Sequence, residues 1–355
     1  MVDFGVLYLC NSLGKIDRKL HELYKILAFK SSYGVVTLIL CKTTPKSNNE
    51  CSMTTIFQAP RAVVMIRPHH FTSNPQTMQD NAFQQACSEN NPNNRAYVEV
   101  SNAVQALELA GVKVHLFEDT STDTPDSVFP NNWFSTHSDG QLTIYPMYAL
   151  NRRLEIRRDI IDFLSAHYRV ANINDYSHLT AEEIFLEGTG SMVIDHQAKV
   201  AYAVESKRTN AVLVNQVCEQ LGLQAEIFNA YDKNEVSVYH TNVLMCVATD
   251  FAMICLDMVP EYQRAQLINR FTRSGHTLIA LSYQQAQHFC GNAIELQGSM
   301  GRILALSTTA YQALLPEQIA VIEKSAKLVA IDIPTIEAAG GSVRCMIAGV
   351  HLNNR

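Results

Sequence analysis

Five short polar motifs recur at nearly constant spacing from residue 129 to the end of this 355-residue chain. They are Phe129-Pro130-Asn131-Asn132, Phe185-Leu186-Glu187-Gly188-Thr189-Gly190, Val238-Tyr239-His240-Thr241-Asn242, Cys290-Gly291-Asn292-Ala293-Ile294-Glu295 and Gly340-Gly341-Ser342-Val343-Arg344-Cys345. From Asn131 to Glu187, His240, Asn292 and Cys345 the steps are 56, 53, 52 and 53 residues. Most motifs lead into a strand, a turn and a second strand: Ser191 to Asp195 then Val200 to Val204, Val243 to Val247 then Phe251 to Leu256, and Ile303 to Leu306. Helical segments follow at Thr209 to Leu221, Glu261 to Arg273 and Pro316 to Ala326, each before a new apolar strand. A strand-strand-helix-strand unit repeated about every 53 residues predicts an α/β fold in which modules close into a ring, each burying its apolar face against its neighbours. Equivalent loops of such a ring point at one centre. Asn132, Glu187, His240 and Cys345 are therefore expected to converge.

The chain before the repeat reads in two parts. Arg61 to Pro68 is an apolar strand of the buried kind, Ala96 to Ala110 has helical periodicity, and Val112 to Phe117 alternates as a strand does. Phe71 to about Asn94 is rich in Asn, Gln and Pro, and reads as a loop with a short helix lying across a surface. Residues 1–52 differ: two apolar pieces, Val6 to Cys10 and Val35 to Cys41, flank a mixed basic segment, and Thr43 to Ser52 is polar and turn-rich. The single catalytic domain is expected over 53–355, with 1–52 an appendage or a start-site artefact; an extra helix packed on the outside is the alternative.

Composition removes several classes of function. A net charge of -6 without a long Lys/Arg block argues against a nucleic-acid partner. The densest basic run, Arg152 to Arg158, reads as the solvated face of a helix continuing through Ile160, Ile161 and Leu164. Nine scattered cysteines without C-x-x-C fit neither a disulfide framework nor a zinc ribbon, so a reducing cytoplasm is the expected compartment. No apolar run reaches the roughly 18 residues that span a bilayer, and the start lacks a basic n-region, so neither a membrane nor a secretory route is expected.

Cysteine, histidine and a carboxylate in one pocket suffice for covalent catalysis: thiolate attack, proton transfer by the imidazole, and a carboxylate that orients or binds. Taken singly, Glu187 could merely end a strand, His240 could be a core histidine, and Asn131 and Asn132 after Pro130 make a turn. Their common phase favours a site. Arg344 beside Cys345 would favour a thiolate or anchor a carboxylate.

The segments at 129–133, 186–190, 239–242 and 340–345 resemble the signatures of the guanidino-group-modifying superfamily of arginine deiminases, dimethylarginine hydrolases and amidinotransferases. The resemblance runs from about residue 58 to the C-terminus and is nearest to the citrulline-utilisation hydrolases. It implies a five-module, pseudo-symmetric, pentein-like α/β propeller. It also implies Cys345 as nucleophile, His240 as general acid/base and Glu187 as a substrate-contacting carboxylate. It implies no metal or organic cofactor, and a small amino acid with a guanidino or ureido group as partner. A homo-oligomer is left open.

Three positions depart from the family pattern. Asn132, Asn242 and Gly190 stand where acids are common, so three negative charges are absent from a pocket that elsewhere grips a cation. An amide both donates and accepts, which suits a neutral end group. Citrulline, hydrolysed to ornithine, ammonia and carbon dioxide, is therefore preferred to arginine or a methylarginine, with amidino transfer as a further alternative. Arg208 is a candidate clamp for the substrate α-carboxylate, and Asn131, Asn132, Asn242 and Arg344 are the other candidate contacts. A non-catalytic ring such as the ribosomal anti-association factor would not need Cys, His and Glu in phase. Adjacent His69 and His70 lack the helical ligand spacing of a metal hydrolase.

Overall fold

The computed structural model describes residues 24–30, 36–42, 57–78, 81, 83–84 and 92–355. Contacts divide the chain into two compact units, Met1–Thr54 and Thr55–Arg355. In the first, β1 (Tyr24–Lys30) and β2 (Val36–Lys42) pair antiparallel, with Leu27 opposite Ile39. The described residues of this stretch form strands; Val6 to Cys10 lies outside the described residues.

In the second unit, β3 (Ala62–Pro68) pairs parallel with β4 (Lys113–Asp119) across the helix Pro92–Leu109. Pro92 suits the first helical position, where its missing N–H costs nothing. Ala96, Val100, Ala103, Val104 and Leu107 form one buried stripe that packs with Val63 and Met65. Each fully buried Val or Leu there contributes roughly 1.5–3 kcal/mol.

The next three sheets repeat one plan. β5 (Phe134–Thr136) is antiparallel to β6 (Gln141–Ile144), and β6 is parallel to β7 (Asn172–Asp175). β8 (Met192–Asp195), β9 (Val200–Val204) and β10 (Gln224–Phe228) do the same. So do β11 (Met245–Val247), β12 (Phe251–Ile254) and β13 (Thr277–Ala280). β14 (Ile294–Gly298), β15 (Gly301–Ser307) and β16 (Lys327–Ile331) follow, and β17 (Ala348–Val350) returns to lie antiparallel to β3, completing the first sheet. A helix makes each parallel crossover, because strands of the same direction cannot be joined by a tight turn.

The unit is therefore α/β, with five three-stranded sheets. Contacts link β17 to β5, β8 to β11 and β11 to β14. Gln58 adds a tie between sheets, its amide donating to the carbonyls of Ile194 and Val247 at 2.9 and 3.1 Å. Trp133, the sole tryptophan, is fully buried and packs on Phe134 beneath the first motif. Among the described residues no helix is long and apolar enough to cross a membrane.

Candidate active site

Each of the five motifs ends where an antiparallel first strand begins. Pro130–Asn132 is a 3-10 turn before β5, Glu187 precedes the short helical turn Gly188–Ser191 that enters β8, and His240 precedes a 3-10 turn into β11. Asn292 stands two residues before β14, and Cys345 three before β17. One position of the repeat thus delivers a buried polar side chain from every sheet.

Glu187 is the electrostatic centre. Its Oε2 lies 2.8 Å from His240 Nε2 and 3.5 Å from a guanidinium nitrogen of both Arg208 and Arg152, while Oε1 accepts from the Tyr148 backbone N–H at 3.0 Å. Burial alone would push this carboxyl up, but Arg208, the His240 hydrogen bond and Arg152 outweigh it and hold it below the ordinary carboxylate range. His240 is itself buried, and the loss of water pulls its pKa below the usual value even though Glu187 pulls the other way. It is a neutral base whose protonated form has a carboxylate waiting.

Two amides meet the Cys345 sulfur. Asn292 Nδ2 donates at 3.2 Å and Asn242 Nδ2 at 3.4 Å, and Asn292 Nδ2 also donates to the Asn242 carbonyl at 2.9 Å. Gly340, at φ +85°, turns the chain toward Cys345 and leaves no room for a Cβ, which would stand 2.3 Å from Asn81 Nδ2. Gly190 has a different reason: a Cβ there would lie 2.3 Å from Asn132 Nδ2 and 2.8 Å from His240 Nδ1. A second acid at this position would collide with the imidazole.

The asparagines carry unspent capacity. Asn132 Oδ1 accepts from Arg152 at 3.0 Å, but Asn132 Nδ2, Asn242 Oδ1, Asn292 Oδ1 and both polar atoms of Asn131 are buried with no protein partner. Arg208, 2% exposed, lies over the Tyr239 ring and donates to the Thr77 carbonyl at 3.4 Å. Arg344 donates to the Ile347 carbonyl at 2.9 Å and lines a cavity with His137, His196 and His351.

The basic run at 152–158 requires a correction. Arg158 begins the helix Arg158–His167 and is solvated, but Arg152 and Glu155 sit in a preceding 3-10 turn and are each 2% exposed. Arg152 holds Glu155 at 2.9 Å, Glu187 at 3.5 Å and Asp126 at 3.7 Å, and three carboxylates outweigh the cost of burying one guanidinium. A run of mixed charge gives no sign of this in sequence. Asn292 and Asp126 also went unassigned; Asn292 had a signal, being in phase with the repeat. Among the described residues no group of three or more His, Cys, Asp or Glu is placed to hold a metal ion.

Comparison with the curated proteins gives no match. The N-terminal domain of ArgZ, an arginine dihydrolase from cyanobacteria solved with its substrate, is 15% identical over 81% of this chain and 97% of that one, with a TM-score of 0.66. Unliganded AgrE is 15% identical at a TM-score of 0.65, over 83% of this chain and 40% of its own. The DDAH of Pseudomonas aeruginosa, solved as a cysteine-to-serine mutant with citrulline, is 14% identical over 82% and 99%, with a TM-score of 0.59. These likenesses establish the fold. The family described as N,N dimethylarginine dimethylhydrolase, eukaryotic, matches residues 67–352, so this chain belongs to that family and is a hydrolase of non-peptide C–N bonds.

Proposed function

We propose that residues 53–355 form a ring of five modules whose centre hydrolyses the ureido group of citrulline, with Cys345 as nucleophile, His240 as general acid/base and Glu187 as its orienting carboxylate. The ring is supported by one cavity lined by residues of β5, β8, β11, β14 and β17, the first strand of every sheet. The observation that carries the substrate is the set of unspent amide atoms: three acceptors, on Asn131, Asn242 and Asn292, and two donors, on Asn131 and Asn132. A ureido group has a carbonyl for the donors and N–H groups for the acceptors. A guanidinium has only N–H groups and would leave both donors unmet, at about 1–3 kcal/mol for each buried unsatisfied group.

The Cys345 thiol gives its proton to neutral His240, and the thiolate attacks the ureido carbon. His240 returns the proton to the departing nitrogen, ammonia leaves, and a thiocarbamate joins the sulfur to the ornithine side-chain nitrogen. Water then attacks while giving a proton to His240, and the C–S bond breaks. The thiol regains its proton, and the freed carbamate loses carbon dioxide to leave ornithine. The sum is citrulline plus water to ornithine, ammonia and carbon dioxide. Glu187 stabilises the imidazolium formed at each stage, and Arg208 binds the substrate carboxylate.

One observation favours arginine instead: Asp126 Oδ1 is buried without a donor, which is an acceptor a cation would satisfy. Release of ammonia from citrulline, arginine and agmatine, and of methylamine or dimethylamine from methylarginines, with Cys345→Ala as blank, separates the readings. Release from citrulline with ornithine formed supports the proposal, and release from arginine alone overturns the choice of substrate.

A further inference from the structure

We propose that the axial cavity lined by the first strands of all five sheets binds one small monovalent anion, held by the guanidinium of Arg344 and a ring nitrogen of His196. Glu187, His240, Asn242 and Cys345 do not line it. The cavity measures about 50 Å³. At about 10–15 Å³ per water it has room for only a few water-sized groups, which excludes an amino acid.

Arg344 reaches this cavity from the residue next to Cys345 and has no ion pair with any carboxylate among the described residues. One of its N–H groups is used, on the Ile347 carbonyl. Its side chain is half-buried, so part of its hydration is lost and no carboxylate among the described residues returns it. Burial lowers the Arg344 pKa to about 10, which still leaves it charged at neutral pH.

The rest of the lining supplies donors and little competing charge. His196 stacks on His351 at 3.9 Å, and neither of its ring nitrogens has a hydrogen bond to the described residues. His137 is occupied, with Nε2 2.8 Å from Ser135 Oγ. Burial holds His137, His196 and His351 below their ordinary pKa, so they face the cavity as neutral rings. The one carboxylate of the lining is Glu295: Oε2 accepts from Thr249 at 2.6 Å, while Oε1 has no hydrogen-bond donor and is offset by Arg302 at 3.6 Å. The cation of Arg344 is thus left for an anion small enough to enter.

The test uses the full chain with nitrate and bromide as probes. Crystals soaked in bromide are expected to show an anomalous peak between Arg344 and His196. In solution, nitrate replacing gluconate at constant ionic strength is expected to raise the Tm saturably. Arg344→Met should abolish the effect, and His196→Phe, which keeps the ring stack, should weaken nitrate binding by about tenfold or more through loss of a donor to a charged group. The proposal is overturned if no bromide enters the cavity, if nitrate and gluconate give the same Tm, or if both variants keep the wild-type response. None of these readouts depends on which substrate is hydrolysed.

Discussion

Glu187 Oε2 and His240 Nε2 lie 2.8 Å apart although 53 residues, one full repeat, separate them in sequence. The carboxylate has three cationic or potentially cationic neighbours, Arg152, Arg208 and His240. Glu187→Gln keeps the shape and removes the charge. It should lower kcat by roughly 10²–10⁴-fold through loss of acid–base catalysis. It should also move the acidic limb of the kcat/KM profile to lower pH, since Glu187 opposes the downward shift of His240. Arg152 and Arg208 lose a buried partner at the same time, so urea unfolding should show a loss of about 3–5 kcal/mol.

Asn292 is expected to act on the nucleophile. Its donation to Cys345 at 3.2 Å is a hydrogen bond to a group that becomes charged, so Asn292→Ala should cost about 1.5–3 kcal/mol, or roughly tenfold to 150-fold in the rate of iodoacetamide labelling at Cys345. Asn292→Asp should be slower still, because a carboxylate beside the sulfur opposes the thiolate. Equal labelling rates in all three proteins would remove Asn292 from the mechanism.

Asn132→Asp places an acid at a position where Arg152 already donates at 3.0 Å. The ratio of kcat/KM for arginine over citrulline should rise by about tenfold or more, the scale of one charge-assisted hydrogen bond. An unchanged ratio would dissociate this residue from substrate choice.

Acid should weaken the fold through the cavity histidines. His137 and His351 have folded pKa values lowered to about 4 and about 3, and His196 is lowered well below its usual value. The unfolded chain takes up protons near pH 6.5 while the folded chain does not, so stability is present above about pH 6.5 and is lost as pH falls toward the folded values. Urea unfolding between pH 7.5 and 5 should show that fall, and His351→Phe should flatten it by removing one titrating site.

Much of this arrangement is legible in the sequence, and the reason is the repeat. Asn131, Glu187, His240, Asn292 and Cys345 occupy one phase, and the contacts at Glu187–His240 and Asn292–Cys345 follow from it. The helix Glu261–Arg273 and strands such as Val200–Val204 also lie where their periodicity puts them. Arg152 was not legible, because a guanidinium is buried only by partners that arrive from elsewhere in the fold, here Asp126 and Glu187. Arg344 also lines the cavity with His137, His196 and His351, a place its position next to Cys345 in sequence does not reveal. Gly190 looked like a lost acid, whereas the close approach of His240 and Asn132 leaves no room for any side chain.

The most direct measurement is mass spectrometry of protein quenched in acid during turnover of citrulline. The account predicts that the peptide carrying Cys345 gains the mass of citrulline less ammonia, and that the gain is absent in Cys345→Ala. Steady ammonia release with Cys345 unmodified at every quench time, or with the same rate in Cys345→Ala, would contradict covalent catalysis at this cysteine.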